Sequence, residues 1–316
     1  MPLIIRILFA LLIFSSVSLP LSAAHKVIMQ GNGKLAIVDQ SGEVEWEMPW
    51  KDIHDLHLLE NGNILTVRGF REVVEIDHKT KEVVWSYDCA EQNGNSGKKI
   101  EIHAIQPLEE GQVMIAESGV GRIIEIDRSG KLLKTVPLKI DHPHPHRDTR
   151  LARKISNGNY LVCHEGDGVV REYDGKSGKV IWEYEIPLFG KEPQPGHGLD
   201  AFGNSVYAAL RLENGNTLIA TGNGHSVIEV TPGKEIVWAL HQDDLAGIRF
   251  AWVTILEVLP NGNYIIGNCH AGPENPLLVE IAPKSKEVVW TFDQYNRFGN
   301  SAPTSQIMDV SGKVNR

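Results

Sequence analysis

Residues 157–182 read NGNYLVCHEGDGVVREYDGKSGKVIW. Asn157-Gly158-Asn159 is a tight turn, because Asn and Gly both tolerate positive φ and Asn-Gly between β-type runs is the strongest short hairpin signal. Tyr160-Leu161-Val162 after it reads as a strand. Arg171-Glu172-Tyr173-Asp174 reads as a second, in the apolar–polar alternation of a half-buried strand. A turn at Asp174, Ser177, Gly178 and Lys179 leads into a third, Val180-Ile181-Trp182. With the apolar run ahead of Asn157, the unit holds four strands, a, b, c and d.

The unit recurs along the chain. Asn-Gly-Asn returns at Asn61-Gly62-Asn63, Asn214-Gly215-Asn216 and Asn261-Gly262-Asn263, with a weakened copy at Glu110-Gly111-Gln112. Strand c returns as Val74-Glu75-Ile76-Asp77, Ile124-Glu125-Ile126-Asp127, Ile228-Glu229-Val230 and Val279-Glu280-Ile281. Strand d ends on Trp46, Trp85, Trp182, Trp238 and Trp290, with Lys134 in the odd repeat. The spacings are 39, 49, 48, 56 and 52 residues. Four strands per unit at a period near 50 is a propeller pattern, and no long segment shows the 3.6-residue period of a helix.

Five copies are complete, and the two ends make a sixth. Val27-Ile28-Met29, Ala36-Ile37-Val38-Asp39 and Val44-Glu45-Trp46 supply strands b, c and d, and Ser305-Gln306-Ile307-Met308-Asp309 supplies strand a. The expected fold is therefore all-β: one six-bladed propeller over residues 25–316, its ring closed by the N- and C-terminal segments in one blade. Closure also removes open strand edges.

Residues 1–24 have one charge, Arg6, an apolar run from Ile7 to about Phe14, and a small-residue end at Ser22-Ala23-Ala24. This is the pattern of a secretory signal peptide cleaved after Ala24. The run is shorter than the ~20 apolar residues of a membrane span. Export to the periplasm or the medium is expected, with no membrane span after signal removal. The 316-residue chain has 31 Lys plus Arg against 40 Asp plus Glu, a net charge of -9. That balance gives no electrostatic reason to bind nucleic acid or anionic lipid. Three cysteines, Cys89, Cys163 and Cys269, cannot all pair internally. Cys163 and Cys269 fall in blades two apart, beyond the Cα reach of about 7 Å for a disulfide, so free, mostly buried thiols are expected.

The terminal Trp of strand d, with the Asp174, Ser177, Gly178, Lys179 turn before it, resembles the tryptophan-docking repeat of pyrroloquinoline quinone-like propellers. The Asn-Gly-Asn and Val-x-Glu-Ile-Asp elements resemble the six-bladed propellers related to bacterial arylsulfate sulfotransferases. The resemblance spans residues 25–316 and implies that each indole wedges between neighbouring blades. It also implies a channel-mouth histidine as nucleophile, assisted by further His and Arg, for which His54, His103, His164, His197 and Arg150 are the candidates. Quinone dehydrogenases of this kind use eight larger blades and an adjacent Cys-Cys pair, which this chain lacks.

In a four-stranded blade the d–a connections and b–c loops share one face, and strand a lines the channel. Loops on a rigid scaffold commonly carry function. Repeat alignment puts His54, His103, Arg150, Tyr207, Thr254 and Thr304 in one ring near the channel mouth. The d–a connections add His142, His144, His146, His197 and Arg249, and the b–c loops add Arg68, Arg71, His164, His225 and His270. His54, His103, His197 and Arg150 are the catalytic candidates. His146, His164, His225, His270, Tyr207 and Arg68 are the candidates for ligand binding. Such a rim suits a small anionic or polar ligand, with Arg as bidentate donor and His titrating near neutrality.

A metal is the less favoured alternative. Its weaker candidate ligands are His142, His144 and His146, with Cys163-His164 and Cys269-His270 as soft partners. No cofactor, quinone or metal, is expected to be resident. The leading expectation is a monomeric exported module that recognises a small polar or anionic ligand, a glycan or a protein. The alternative is an enzyme of arylsulfate sulfotransferase or lyase type using a channel-mouth histidine.

Overall fold

In the computed structural model each repeat forms one four-stranded antiparallel sheet with its strands in the order a–b–c–d. The structure describes residues 24–316, so the expected leader, residues 1–24, lies outside the described residues except for Ala24. The six inner strands are Thr304–Ile307, Leu56–Leu58, Glu101–Pro107, Ala152–Lys154, Ala208–Arg211 and Trp252–Val258. Each touches the next and the last touches the first, which closes a six-bladed ring. The closing blade pairs the C-terminal Thr304–Ile307 with the N-terminal Val27–Gly31, Val27 standing opposite Ile307. Lys34–Val38 and Val44–Pro49 complete it.

Strands a to c are buried almost throughout, whereas the outer Val44–Pro49 alternates half-buried and exposed. One face of an outer strand packs on its neighbour and the other meets water, which is why the sequence alternates there. Among the described residues helical structure is confined to Tyr295–Phe298 and the single turn Glu109–Gly111. Among the described residues no helix is long and apolar enough to cross a membrane. All three cysteines are free and buried.

The recurrent sequence letters are contacts that join the ring. In the Asn61-Gly62-Asn63 turn only Gly62 enters the left-handed region, at φ +83. Asn61 works through its side chain: Oδ1 accepts the Asn63 N–H at 2.9 Å. The side-chain amides of Asn61 and Asn63 then donate to Glu75 Oε1 of strand c at 3.1 and 2.7 Å. Asn159 holds Glu172 at 2.7 Å, Asn216 holds Glu229 at 2.6 Å and Asn263 holds Glu280 at 2.7 Å in the same way.

The second oxygen of three of these carboxylates faces the following blade. Arg128 reaches Glu75, Arg211 reaches Glu172 at 2.6 Å, and His25 reaches Glu280 at 2.9 Å. Where Glu110-Gly111-Gln112 replaces the motif, Glu125 is taken by Lys154 at 2.8 Å and by Tyr160, both from the next blade.

The indoles follow the same forward rule. Trp46, Trp85, Trp182 and Trp238 donate Nε1–H to the carbonyls of His78, Arg128, Pro232 and Pro283, each in the c–d turn of the succeeding blade. Lys134, in the Trp position of blade 3, lies 5.0 Å from the centre of the Tyr160 ring in blade 4. Trp290 stands edge-on to His25 at 4.9 Å.

Asn159→Ala removes the 2.7 Å bond to Glu172 and the bond from Gly175 N–H to Asn159 Oδ1. It is expected to lower unfolding free energy by about 1–3 kcal/mol, because a partly buried carboxylate loses a donor. A urea midpoint equal to that of the parent protein would refute this reading of the motif.

Candidate functional site

The four residues that begin the inner strands of blades 2 to 5 meet at the axis. His54 precedes Leu56–Leu58, Arg150 precedes Ala152–Lys154, and Tyr207 precedes Ala208–Arg211. His103 lies inside Glu101–Pro107, where the register shifts between Ile102 and Ala104. A bulge of this kind re-aims a side chain, and a second one spans Thr254 in blade 6, between Val253 and Leu256.

Arg150 organises this quartet. It is buried, 4% exposed, and pairs through Nε with Glu165 from its own blade. Its Nη1 lies 2.8 Å from His54 Nδ1 and 3.3 Å from His103 Nδ1, and the guanidinium stands 5.4 Å from the Tyr207 ring centre. A guanidinium only donates, so both Nδ1 atoms accept and both rings carry their proton on Nε2. The two imidazoles stack at 4.6 Å with 21° between planes. Burial, with Arg150 adding to it, drives His54 well below its ordinary value. Burial brings His103 down to about 4.

His146, on the d–a connection, donates Nδ1–H to Glu101 Oε2 at 2.6 Å. His103 Nε2 lies 3.2 Å from the same oxygen, close enough for attraction but outside hydrogen-bond geometry. The His103 and His146 imidazoles together hold the Glu101 carboxyl at about 2. Opposite them, His197 stacks on Trp252 at 4.9 Å and lies 5.1 Å from His270. Burial lowers His270, and His197 adds to that. Burial lifts the neighbouring Cys269 thiol to about 11, so it is not a thiolate at neutral pH.

Between these walls lies a cavity of about 520 Å³, with His54, His146, Arg147, Tyr207, Trp252 and His270 in its lining. Tyr207 Oη and Thr254 Oγ1 are buried there with no hydrogen-bond partner among the described residues. Below the cavity a neck of about 20 Å³, which Thr304 joins, leads to Asp55, Arg153 and Arg316. A larger cavity of about 640 Å³ opens between blades 2 and 3, with no histidine in its lining.

Not every expected residue reaches the cavity. His164 is buried with Nδ1 on the Asp148 carbonyl at 2.7 Å and Nε2 on the Tyr173 hydroxyl at 2.9 Å. His225 is likewise buried, its two nitrogens against the carbonyls of Ala251 and Ala201. Arg68 pairs with Glu72 on the exposed rim. His142 is exposed beside Asp167 at 3.2 Å, and His144 accepts the His146 N–H at 3.2 Å. The three histidines 142, 144 and 146 therefore do not converge on one point: the chain turns after His144, whose carbonyl accepts the Arg147 and Asp148 N–H groups, and each imidazole takes a different partner. Glu101, Glu165, Arg147 and the Trp252 wall were not foreseen. Glu101 gave the one available signal, a carboxylate two residues before a ring histidine.

The family model described as Outer membrane protein assembly factor BamB matches residues 31–292. Comparison of the sequence with curated proteins finds no match. A solved protein of unknown function from Bacteroides caccae is 22% identical, with TM-score 0.72 over 89% of this chain and 98% of that one. A streptogramin B lyase is 14% identical, with TM-score 0.54 over 85% and 83%. An inactive histidine-to-alanine variant of virginiamycin B lyase from Staphylococcus aureus, solved with quinupristin, is 12% identical, with TM-score 0.54 over 87% of each chain. These likenesses are of fold.

Proposed function

We propose that this chain, which belongs to the PQQ-repeat propeller family described as outer membrane protein assembly factor BamB, is an exported recognition module that takes a small polar or anionic ligand in the His/Arg-lined cavity. The observation that carries the reading is the set of donors left without protein partners. Arg150 fixes His54 as a neutral ring whose Nε2–H has no partner among the described residues. Tyr207 Oη and Thr254 Oγ1 are buried and unpaired beside it. Arg147 adds a positive charge at the lining, and the Trp252–His197 stack offers a flat apolar wall. Unpaired buried donors are costly, and an oxygen-rich ligand would satisfy them.

Benzoate and phenyl sulfate are suitable probes, read by Trp fluorescence and calorimetry. Saturable binding is expected, weakened about tenfold or more by Tyr207→Phe and by Arg147→Ala, the scale of a lost charged or buried hydrogen bond. Binding of neither probe, or binding indifferent to both substitutions, would overturn the reading.

One observation favours the enzyme reading. Glu101 holds the Nδ1–H of His146, which leaves Nε2 as a lone pair at the cavity lining, the arrangement of an oriented general base. Neutral His54 and Tyr207 would face it as donors to a developing oxyanion. Turnover of an aryl sulfate or of a cyclic ester, abolished in folded His146→Ala and Arg150→Ala proteins, would select this reading. Turnover of neither would favour recognition alone.

A further inference from the structure

We propose that Glu101, His103 and His146 form a site for one transition-metal dication of the zinc class, set beside the cavity where His146 enters its lining. The proposal does not depend on the anionic ligand and differs from the three-histidine grouping of the sequence reading, of which it keeps only His146.

The geometry is nearly that of a bound ion. One ligand atom from each of the three residues lies within 4.8 Å of the others. Ligands around a tetrahedral ion at ~2.1 Å stand about 3.4 Å apart. Glu101 Oε2 is 3.2 Å from His103 Nε2 and 2.6 Å from His146 Nδ1, and no two of the three ligand atoms stand more than 4.8 Å apart, so small shifts of the carboxylate and of the two imidazoles bring all three to that spacing. A second observation points the same way. His103 is 1% exposed, and its Nε2 has no hydrogen-bond partner although it is aimed at Glu101.

The donor set is two imidazoles and one carboxylate. That suits zinc, cobalt or copper and not the all-oxygen shells of calcium and magnesium. Three protein ligands with a fourth position free is the form of a site that engages a further molecule.

Protons balance without net release near neutrality. On binding, the His146 proton moves from Nδ1 to Nε2 and the His103 proton from Nε2 to Nδ1. The second move ends the 3.3 Å contact from Arg150, whose shorter bond to His54 and pair with Glu165 keep the guanidinium in place. Lys98 and Lys99 also border Glu101 on its outer side. These cations make the site weaker than a closed structural zinc site.

The test is titration of the full chain, freed of metal by chelator, with Co²⁺ followed by Zn²⁺ competition. The expected result is one Co²⁺ per chain with the visible spectrum of a four-coordinate ion, displaced by Zn²⁺. Glu101→Gln and His146→Ala each act at partly exposed positions and leave the core intact. Each is expected to weaken binding about tenfold or more, while the double variant His142→Ala, His144→Ala binds as the parent does. Absence of stoichiometric binding, or binding lost in the His142, His144 variant and kept in Glu101→Gln, overturns the proposal. Probe-anion binding is measured in chelator, so its outcome is read separately.

Discussion

Lowering the pH from 6.5 toward 4 is expected to strip the protein of on the order of 1–3 kcal/mol of stability per pH unit, far more steeply than an ordinary surface titration. Burial holds His57, His103 and His164 at about 4 in the folded state, against about 6.5 in the unfolded chain. Between those values the unfolded state binds protons that the folded state refuses, so stability falls as pH falls. Each ring contributes up to about 1.4 kcal/mol per pH unit across that window.

Two groups oppose the trend. Burial lifts Glu257 to about 7, so the folded state takes up its proton first. Burial raises Glu117 as well. His25 is raised because Glu280 and Asp309 outweigh its burial, so its share of stability is already present below about pH 6.5 and adds no slope in this window. The balance still favours loss. Urea midpoints at pH 7, 6, 5 and 4 measure it, and a flat profile would mean that these rings are not buried neutral.

Asp55→Asn is expected to cost about 3–5 kcal/mol, the scale for breaking a buried ion pair from one side. Arg153 grips Asp55 with both terminal nitrogens, at 2.7 and 3.0 Å. Asp55 is 1% exposed and Arg153 5%. The Asp55 carboxylate also accepts the Ile105 N–H at 3.0 Å, and Arg153 Nε donates to the Arg316 carbonyl at 2.8 Å. Blades 2, 3 and 4 and the C-terminal segment are thus tied below the neck by one pair.

Burial works to raise Asp55, yet Arg153 and His57 hold it well below the usual carboxylate range. Its share of stability is present above about pH 4 and is lost as pH falls further. Replacing both partners, Asp55→Leu with Arg153→Leu, is expected to recover much of the loss, because no uncompensated charge remains. A single substitution costing under about 1 kcal/mol would show the pair to be screened by water.

The fold was legible because its cause is repetition. One turn motif, one carboxylate and one indole recur at a fixed interval, and each proves to be a contact with a partner in the same or the next blade. The ring residues were legible for the same reason, since equivalent positions of a closed ring converge whatever their separation in sequence.

The remainder depended on local irregularity. The bulges at His103 and Thr254 leave no mark in composition. His164 and His225 occupy positions equivalent to His270, but backbone carbonyls lie within reach of their rings and hold them down. Of the three histidines spaced by prolines, only His146 reaches the cavity, where it meets Glu101, while His142 pairs with Asp167 on the exposed rim. Trp252 carries no repeat signal, because it opens an inner strand while the recurrent indoles sit on the outer strands.

The forward contacts between blades give the ring a sense of rotation. Most blades hand an indole or a carboxylate to their successor and receive the same from their predecessor. A blade is therefore not a module that can be excised or spliced in from a cousin: its removal orphans an acid on one side and a carbonyl on the other. Graft boundaries would have to run through the middle of a sheet, as the chain's own join does between Val27–Gly31 and Thr304–Ile307.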